Sequence, residues 1–435
     1  MRDIVIVGGG PVGTMLACVL AVGGLDVEVL EQRSQPSLRS RAIGIHPPSL
    51  RALAAIGVAD ALLDRAVRIR EGEVRSDGHR LGQLSFERAA PGYPFVVALP
   101  QYETESLLRA RFETLRPGRY RSGVTMTGVR DRGDAVVVST DSGTIEARFV
   151  IGADGARSRV REAAGIDWRQ LGQSETYLMG DFVDPAALDP ASLDPASLDP
   201  ASLDPASMGT ASIGTASIGT ASIGTASIGT ALANAGAVLY FERGGVVESF
   251  PLPGGRRRWV AMTDFLATDA DSADLAALIR HRTGVRLPEP LGAASAFAVQ
   301  QRLARRMQSQ PVHVPGGPIS GPPAVGRIVL VGDAAHEISP IGGQGMNLGW
   351  LDAVALGPAL QRALLEPAAA ASVLAHYDRS RRSAGRRAAL QAGFNMSMGR
   401  PAHGVRLRAR NALVRSLTLP PANQIVARAF TMRWL

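Results

Sequence analysis

Near the start of the chain, Gly8-Gly9-Gly10-Pro11-Val12-Gly13 has the spacing G-x-G-x-x-G. Gly8 allows a tight turn after a strand, Gly10 lets a pyrophosphate approach the backbone, and Gly13 lets the next helix pack closely. The amino end of that helix adds partial positive charge. Eighteen residues past Gly13 stands Glu31, where a carboxylate can accept both hydroxyls of an adenosine ribose. The glycines alone describe a packing turn equally well; glycines, helix and acid in register describe a dinucleotide site. Two further acidic turns follow. One is Ile151-Gly152-Ala153-Asp154-Gly155, continuing to Arg161; the other is Gly332-Asp333-Ala334-Ala335-His336, continuing through Pro340 and Gly343-Gln344-Gly345-Met346-Asn347. Acids and glycines at three separate strand ends suit an extended ligand that needs polar groups along its length.

These turns need a sheet to bring them together. Short β-branched runs at 4–7, 149–151 and 328–331 read as strands buried on both faces. A helix from Pro11 to about 22, a strand at 26–30 and a helix at about 48–56 complete a β-α-β pattern, so the fold class is α/β, doubly wound. Residues 72–95 and 237–264 alternate apolar and polar side chains and predict a second, mostly antiparallel sheet. Because the third buried strand comes only near 330, the two domains must be interleaved. The expected division is 1–70, 98–178 and 296–365 for the nucleotide domain, 71–97 and 179–295 for the substrate domain, and 366–435 for a helical region. Residues 186–230 are nine tandem pentads, from Ala-Ala-Leu-Asp-Pro to Ala-Ser-Ile-Gly-Thr. Their period resembles the pentapeptide repeats that wind into a β-helix; a repeat-derived irregular loop is the alternative reading, and no chemistry is assigned to it.

The chain has 435 residues, enough for two domains, and carries 47 basic against 39 acidic residues. Every basic residue is arginine, which excludes Schiff-base chemistry, a P-loop lysine and a lysine general acid. An alanine-rich, all-arginine composition reflects a G+C-rich genome, so no nucleic-acid partner is expected. The single cysteine, Cys18, rules out an internal disulfide and argues against a metal cluster. The opening strand pattern without a charged leader, and the lack of an apolar run long enough to span a bilayer, lead to the expectation of a cytoplasmic protein. Residues 379–415 hold ten arginines and no acid, read as a solvated face over a packed stripe.

Taken in order, the three motifs resemble those of the flavoprotein aromatic hydroxylases, the single-component monooxygenases typified by para-hydroxybenzoate hydroxylase. The resemblance covers nearly the whole chain outside the pentads. It implies non-covalent FAD, with NADPH or NADH as a transient co-substrate, and oxygen insertion into an aromatic or polycyclic molecule through a flavin C4a-hydroperoxide. Asp333 would bond the ribityl chain, and Asp154 would support FAD and the docking of the nicotinamide nucleotide beside 154–161. The helix start at Gly345, Met346 and Asn347 would face the flavin's N1–C2=O edge. Arg33 and Arg41 are further candidates beside the cofactor, as are Gln101, the glutamine of the family-like segment Leu99-Pro100-Gln101-Tyr102, and Arg109, eight residues farther along the same helix.

No protein nucleophile is required by such chemistry. A base for a phenolic substrate is left open among His46, Tyr93, Tyr102 and Tyr240, whereas His336 reads as structural. A flavin halogenase is disfavoured by the missing lysine. An FAD-dependent reductase of isoprenoid double bonds, and a non-catalytic flavin-binding or repeat interaction protein, are the alternatives. The shorter subgroup of the family, without a carboxyl-terminal thioredoxin-like domain, is the expected match, and a weak homodimer is left open.

Overall fold

The computed structural model describes residues 1–37, 42–87, 92–185, 236–312, 324–338 and 343–433. The pentads, Arg41 and Pro340 lie outside the described residues.

Two seven-stranded sheets organise the molecule. In the first, Arg2–Val7 lies between the parallel strands Val27–Glu31 and Gly143–Gly152, and Val27–Glu31 is flanked in turn by Tyr120–Ser122. The long strand Gly143–Gly152 divides its edge. Its first half pairs antiparallel with Val136–Thr140, while Val150, Ile151 and Gly152 pair in parallel with Ile328–Leu330. Val7 sits opposite Gly152, and Gly152 opposite Leu330, so the three predicted motifs leave the sheet at one level and on one edge. The central strands are apolar through both faces: Ile4, Val5, Ile6, Val150, Ile151 and Val329 are fully buried.

Helix Pro11–Val22 begins at the glycine turn with proline in its first turn, where a missing N–H costs nothing. Helix Gln344–Leu365 packs across it. Close approach is required here, since a Cβ on Gly349 would lie 2.5 Å from the Val12 side chain and one on Gly357 would lie 2.4 Å from Val19. The Trp350 indole N–H donates to Pro11 O at 2.9 Å and fixes the same junction.

The second sheet runs Ser295–Val299, Glu175–Val183, Arg256–Thr263, Gly245–Leu252, Ala237–Glu242, Glu71–Ser76 and His79–Ser85 in spatial order. Neighbours are antiparallel except Ala237–Glu242 beside Glu71–Ser76, which run parallel. One face packs under helix Ser272–Thr283, burying Val247, Trp259, Leu275 and Ile279. That helix has both ends closed, by an Asp271–Asp274 capping box and by Gly284 in the left-handed region. The opposite face looks toward the ends of the first sheet.

The carboxyl-terminal region forms helices Ala370–Gly399, Gly404–Leu417 and Ala422–Phe430. Several of its arginines are structural. Arg381 and Arg410 are buried, and Arg410 donates to the Phe241, Glu242, Met398 and Arg400 carbonyls.

Candidate active site

The glycine turn is strained in the way its sequence demands. Gly8 has φ +106°, and a Cβ there would meet Ala153 O at 2.4 Å; a Cβ on Gly13 would meet Gly8 O at 2.0 Å. Gly10, by contrast, has open space where a side chain would be, and so does Gly345. Tyr120 supports the turn from below, its hydroxyl donating to Gly9 O at 2.8 Å.

Glu31 ends its strand with both carboxylate oxygens engaged. Oε2 accepts from Gly9 N and Oε1 from Arg33 N and Nε, each at 2.9 Å. Burial works to raise its pKa, but the Arg33 bonds and the Gly9 amide outweigh burial and hold it below the usual carboxylate range. A carboxylate oxygen has more than one lone pair, so Glu31 keeps acceptor capacity toward a ribose. Asp154 accepts from Val160 N at 3.2 Å through Oδ2, while Oδ1 is buried with no protein partner among the described residues. Burial raises its pKa, against the hydrogen bonds from Ser158 and Val160. Asp333 is exposed on the 3-10 turn Gly332–Ala334.

A buried cluster sets that last turn. Asp352 Oδ2 accepts from Gly332 N at 3.1 Å and meets His336 Nε2 at 2.5 Å, and Oδ1 accepts from Arg381 Nε at 2.7 Å. Fully buried Asp352 is nonetheless pushed down in pKa, because His336 and Arg381 overcome the desolvation. His336 is structural, as expected from the sequence.

One cavity of about 1130 Å³ connects these parts. Of the residues expected at the cofactor, Gly8, Gly10, Glu31, Arg33, Gln101, Asp154, Asp333, Gly345 and Met346 line it, and so does His46. Gly13 lies beneath the turn. Three expectations need correction. Asn347 is buried and clamps two loops, accepting from His46 N at 2.9 Å and donating to Gly44 O and Gly343 O at 2.8 and 2.7 Å; it positions the loops without lining the cavity. Arg109 lies over the Tyr120 ring, 4.5 Å from its centroid, and does not line the cavity. Tyr240 is 3% exposed, stacks on Trp259 under helix Ser272–Thr283, and is pushed upward in pKa by burial; it is core, not a base. Tyr93 and Tyr102 are also absent from the lining. In the 157–161 run, Arg157 and Arg159 are exposed and line the cavity, but Arg161 is buried against Trp168 and donates to Ala156 O.

The far half of the cavity, contributed by the second sheet and the last helix, was not anticipated residue by residue. Phe250, Val260, Phe297, Val299 and Phe430 make it apolar. Phe430 stacks on Phe86 and meets His46 edge-on. Asp181 and Arg258 lie in this wall as a bidentate pair at 2.7 and 2.8 Å. Glu248 lies there too. Among the described residues no group of histidine, cysteine and acid is arranged to hold a metal, and no helix is long and apolar enough to cross a membrane.

The open space at Gly10 and Gly345, the unpartnered Asp154 oxygen and the exposed Asp333 fit an extended dinucleotide lying along the strand ends. Comparison with known proteins agrees. A "Rifampicin monooxygenase" of Streptomyces venezuelae is 29% identical over 82% of this chain, which spans 63% of that protein's length. A "Dialkyldecalin synthase" of Streptomyces rugosporus is 29% identical over 89% of this chain and 71% of its own. The crystal structure of p-nitrophenol 4-monooxygenase from Pseudomonas putida superposes over 100% of this chain and 97% of its own with a TM-score of 0.77 at 22% identity, a likeness of fold. The sequence model of the FAD binding domain matches residues 1–317 and 322–392, and on that match the chain belongs to the FAD binding domain family.

Proposed function

We propose that the protein is an FAD-dependent monooxygenase that consumes NADPH or NADH and hydroxylates an aromatic or polycyclic small molecule. The observation that carries this reading is the continuous cavity that joins the dinucleotide strand ends to an apolar wall of the second sheet. FAD, when bound, would accept reducing equivalents from the nicotinamide and activate molecular oxygen. The chain's own residues would hold it: Glu31 and Arg33 at the adenosine end, the Gly8–Gly10 amides at the pyrophosphate, and Asp333 at the ribityl chain. Asp352, through Gly332 N, and Asn347, through residues 44–46, fix the loops around it. Phe250, Phe297 and Phe430 exclude water from the half that takes the substrate.

No second dinucleotide fingerprint exists in the sequence, so the nicotinamide nucleotide would dock transiently beside Asp154, with Arg157 and Arg159 able to meet its phosphates. Linking flavin reduction to substrate occupancy would avoid wasting reductant. A true substrate is expected to speed anaerobic flavin reduction at least about tenfold, roughly 1.4 kcal/mol in the barrier. The test begins with the absorption spectrum of the purified protein, followed by NAD(P)H oxidation and oxygen uptake with a panel of phenols and quinones. Tight flavin without substrate-dependent oxygen uptake would overturn the monooxygenase reading; the synthase among the relatives makes that the decisive measurement.

A further inference from the structure

We propose that Glu248 is the specificity-determining acid of the cavity, its carboxyl hydrogen-bonding a carbonyl or phenolic oxygen of a neutral aromatic substrate. This rests on the reading above that the sheet half of the cavity receives the substrate. Glu248 lies on the central strand Gly245–Leu252, opposite Leu239 on one neighbour and Val260 on the other. Its strand neighbours Val247 and Ser249 are buried, and Val247 packs toward helix Ser272–Thr283; Glu248, like Phe250 and Val260, borders the cavity. The side chain is nearly closed off: the residue is 4% exposed, and Oε1 is buried with no hydrogen-bond partner among the described residues.

The neighbouring charges do not account for it. Arg258 faces the same cavity from Arg256–Thr263, but its guanidinium is held bidentately by Asp181 of Glu175–Val183. Strand Ser295–Val299 contributes apolar and hydroxyl side chains, Leu239 contributes none, and His46 stands across the cavity with its ring against Phe430. Burial, with no charged partner acting on it among the described residues, pushes the Glu248 carboxyl up to about 8. At neutral pH it carries its proton and is a hydrogen-bond donor in an apolar wall. A buried polar group without a partner is costly, and the space in front of this one is where a ligand would be. A neutral acid beside an internally neutralised ion pair favours an uncharged oxygen acceptor and disfavours a carboxylate, so aryl ketones and phenols, not benzoates, are the substrate class.

The test uses the FAD-loaded protein. Infrared spectra at pH 7 should show the carbonyl stretch of a protonated carboxylic acid that Glu248→Gln removes. Binding of 1-tetralone, 1-naphthol, 1-naphthoate and naphthalene is read from the flavin absorbance. The neutral oxygenated probes should bind at least about tenfold tighter than 1-naphthoate. 1-Tetralone should also bind tighter than naphthalene; Glu248→Leu should erase this second advantage, and Glu248→Gln, which still donates, should retain most of it. A missing infrared band, naphthoate binding as tightly as the neutral probes, an unchanged 1-tetralone affinity in Glu248→Leu, or no probe binding would each overturn the assignment. Oxygen uptake is scored separately: its absence with bound probes would overturn the monooxygenase reading and leave the Glu248 result standing.

Discussion

Two buried carboxyls stand in opposite states in this molecule. Asp352, under the cofactor half of the cavity, is surrounded by Arg381, His336 and the Gly332 amide and stays ionised. Glu248, in the sheet half, is also buried but meets no charged partner among the described residues and keeps its proton. Burial is the same cost in both places; what differs is whether donors have been folded in beside the acid. The first arrangement holds a turn in place. The second holds a proton where a ligand comes.

The sharpest way to break the comparison is Asp352→Asn. It leaves Arg381 buried beside a neutral group, and removing one member of a buried pair costs about 3–5 kcal/mol. Urea denaturation should register that loss together with weakened flavin retention, because the Gly332 turn loses its anchor; an unchanged midpoint would mean the cluster is not an ion pair. Next in size is Asp333→Ala, which removes an exposed acid from the turn beside the cofactor groove. Losing a charge-assisted bond of about 1.5–3 kcal/mol to the cofactor should loosen FAD at least tenfold. Equilibrium dialysis showing full FAD affinity would remove Asp333 from the site.

The two carboxyls also impose opposite slopes on stability. Unfolded Glu248 ionises at the ordinary value of about 4.3, but the folded group does so only at about 8. Between those values the unfolded chain has released a proton that the folded chain keeps, so this group makes stability fall as pH rises, by up to roughly 1.4 kcal/mol per pH unit. Glu248→Gln should remove that slope above pH 5, and denaturation curves at pH 5, 6.5 and 8 that fall as steeply as in the parent would contradict the assignment. Asp352 acts the other way: its lowered pKa gives stability that is present above the unfolded value and lost as pH falls through the folded one. The smallest effect belongs to Arg109→Ala, which removes a cation–π contact worth about 0.5–1 kcal/mol. Thermal stability should drop slightly with FAD affinity intact; a large loss of flavin would show that Arg109 reaches the cofactor after all.

How much of this could be read from the chain depended on whether the signal was local. The turns at Gly8, Asp154 and Asp333 announce themselves, since glycine, acid and strand end lie within a few residues and the sheet register brings them level. Direction along an element is harder to read. Gln101 and Arg109 share a helix face, but eight residues of helix carry Arg109 roughly 12 Å farther along the axis, beyond the cavity and onto Tyr120. Tyr240 and Glu248 were hidden by the period of two: alternation shows that neighbouring residues face opposite ways, but not which way faces the cavity. The one available signal was a glutamate sharing a strand face with Val246 and Phe250. The buried pairing of Asp352 with Arg381 joins two helices and had no local trace.

The divided edge of Gly143–Gly152 also bears on synthesis. Val150, Ile151 and Gly152 present unpaired backbone groups until Ile328–Leu330 emerges, and Leu330 O is then covered by the Tyr377 hydroxyl at 2.9 Å. Every strand of the second sheet precedes residue 300, so on a growing chain that sheet is complete while the cofactor floor still lacks a plank. The ribosome therefore delivers the sheet wall of the substrate half first and its Phe430 last. A nascent chain stopped before residue 328 should not capture FAD, which makes flavin uptake a late event in the protein's biogenesis and a readout of whether translation has passed that point.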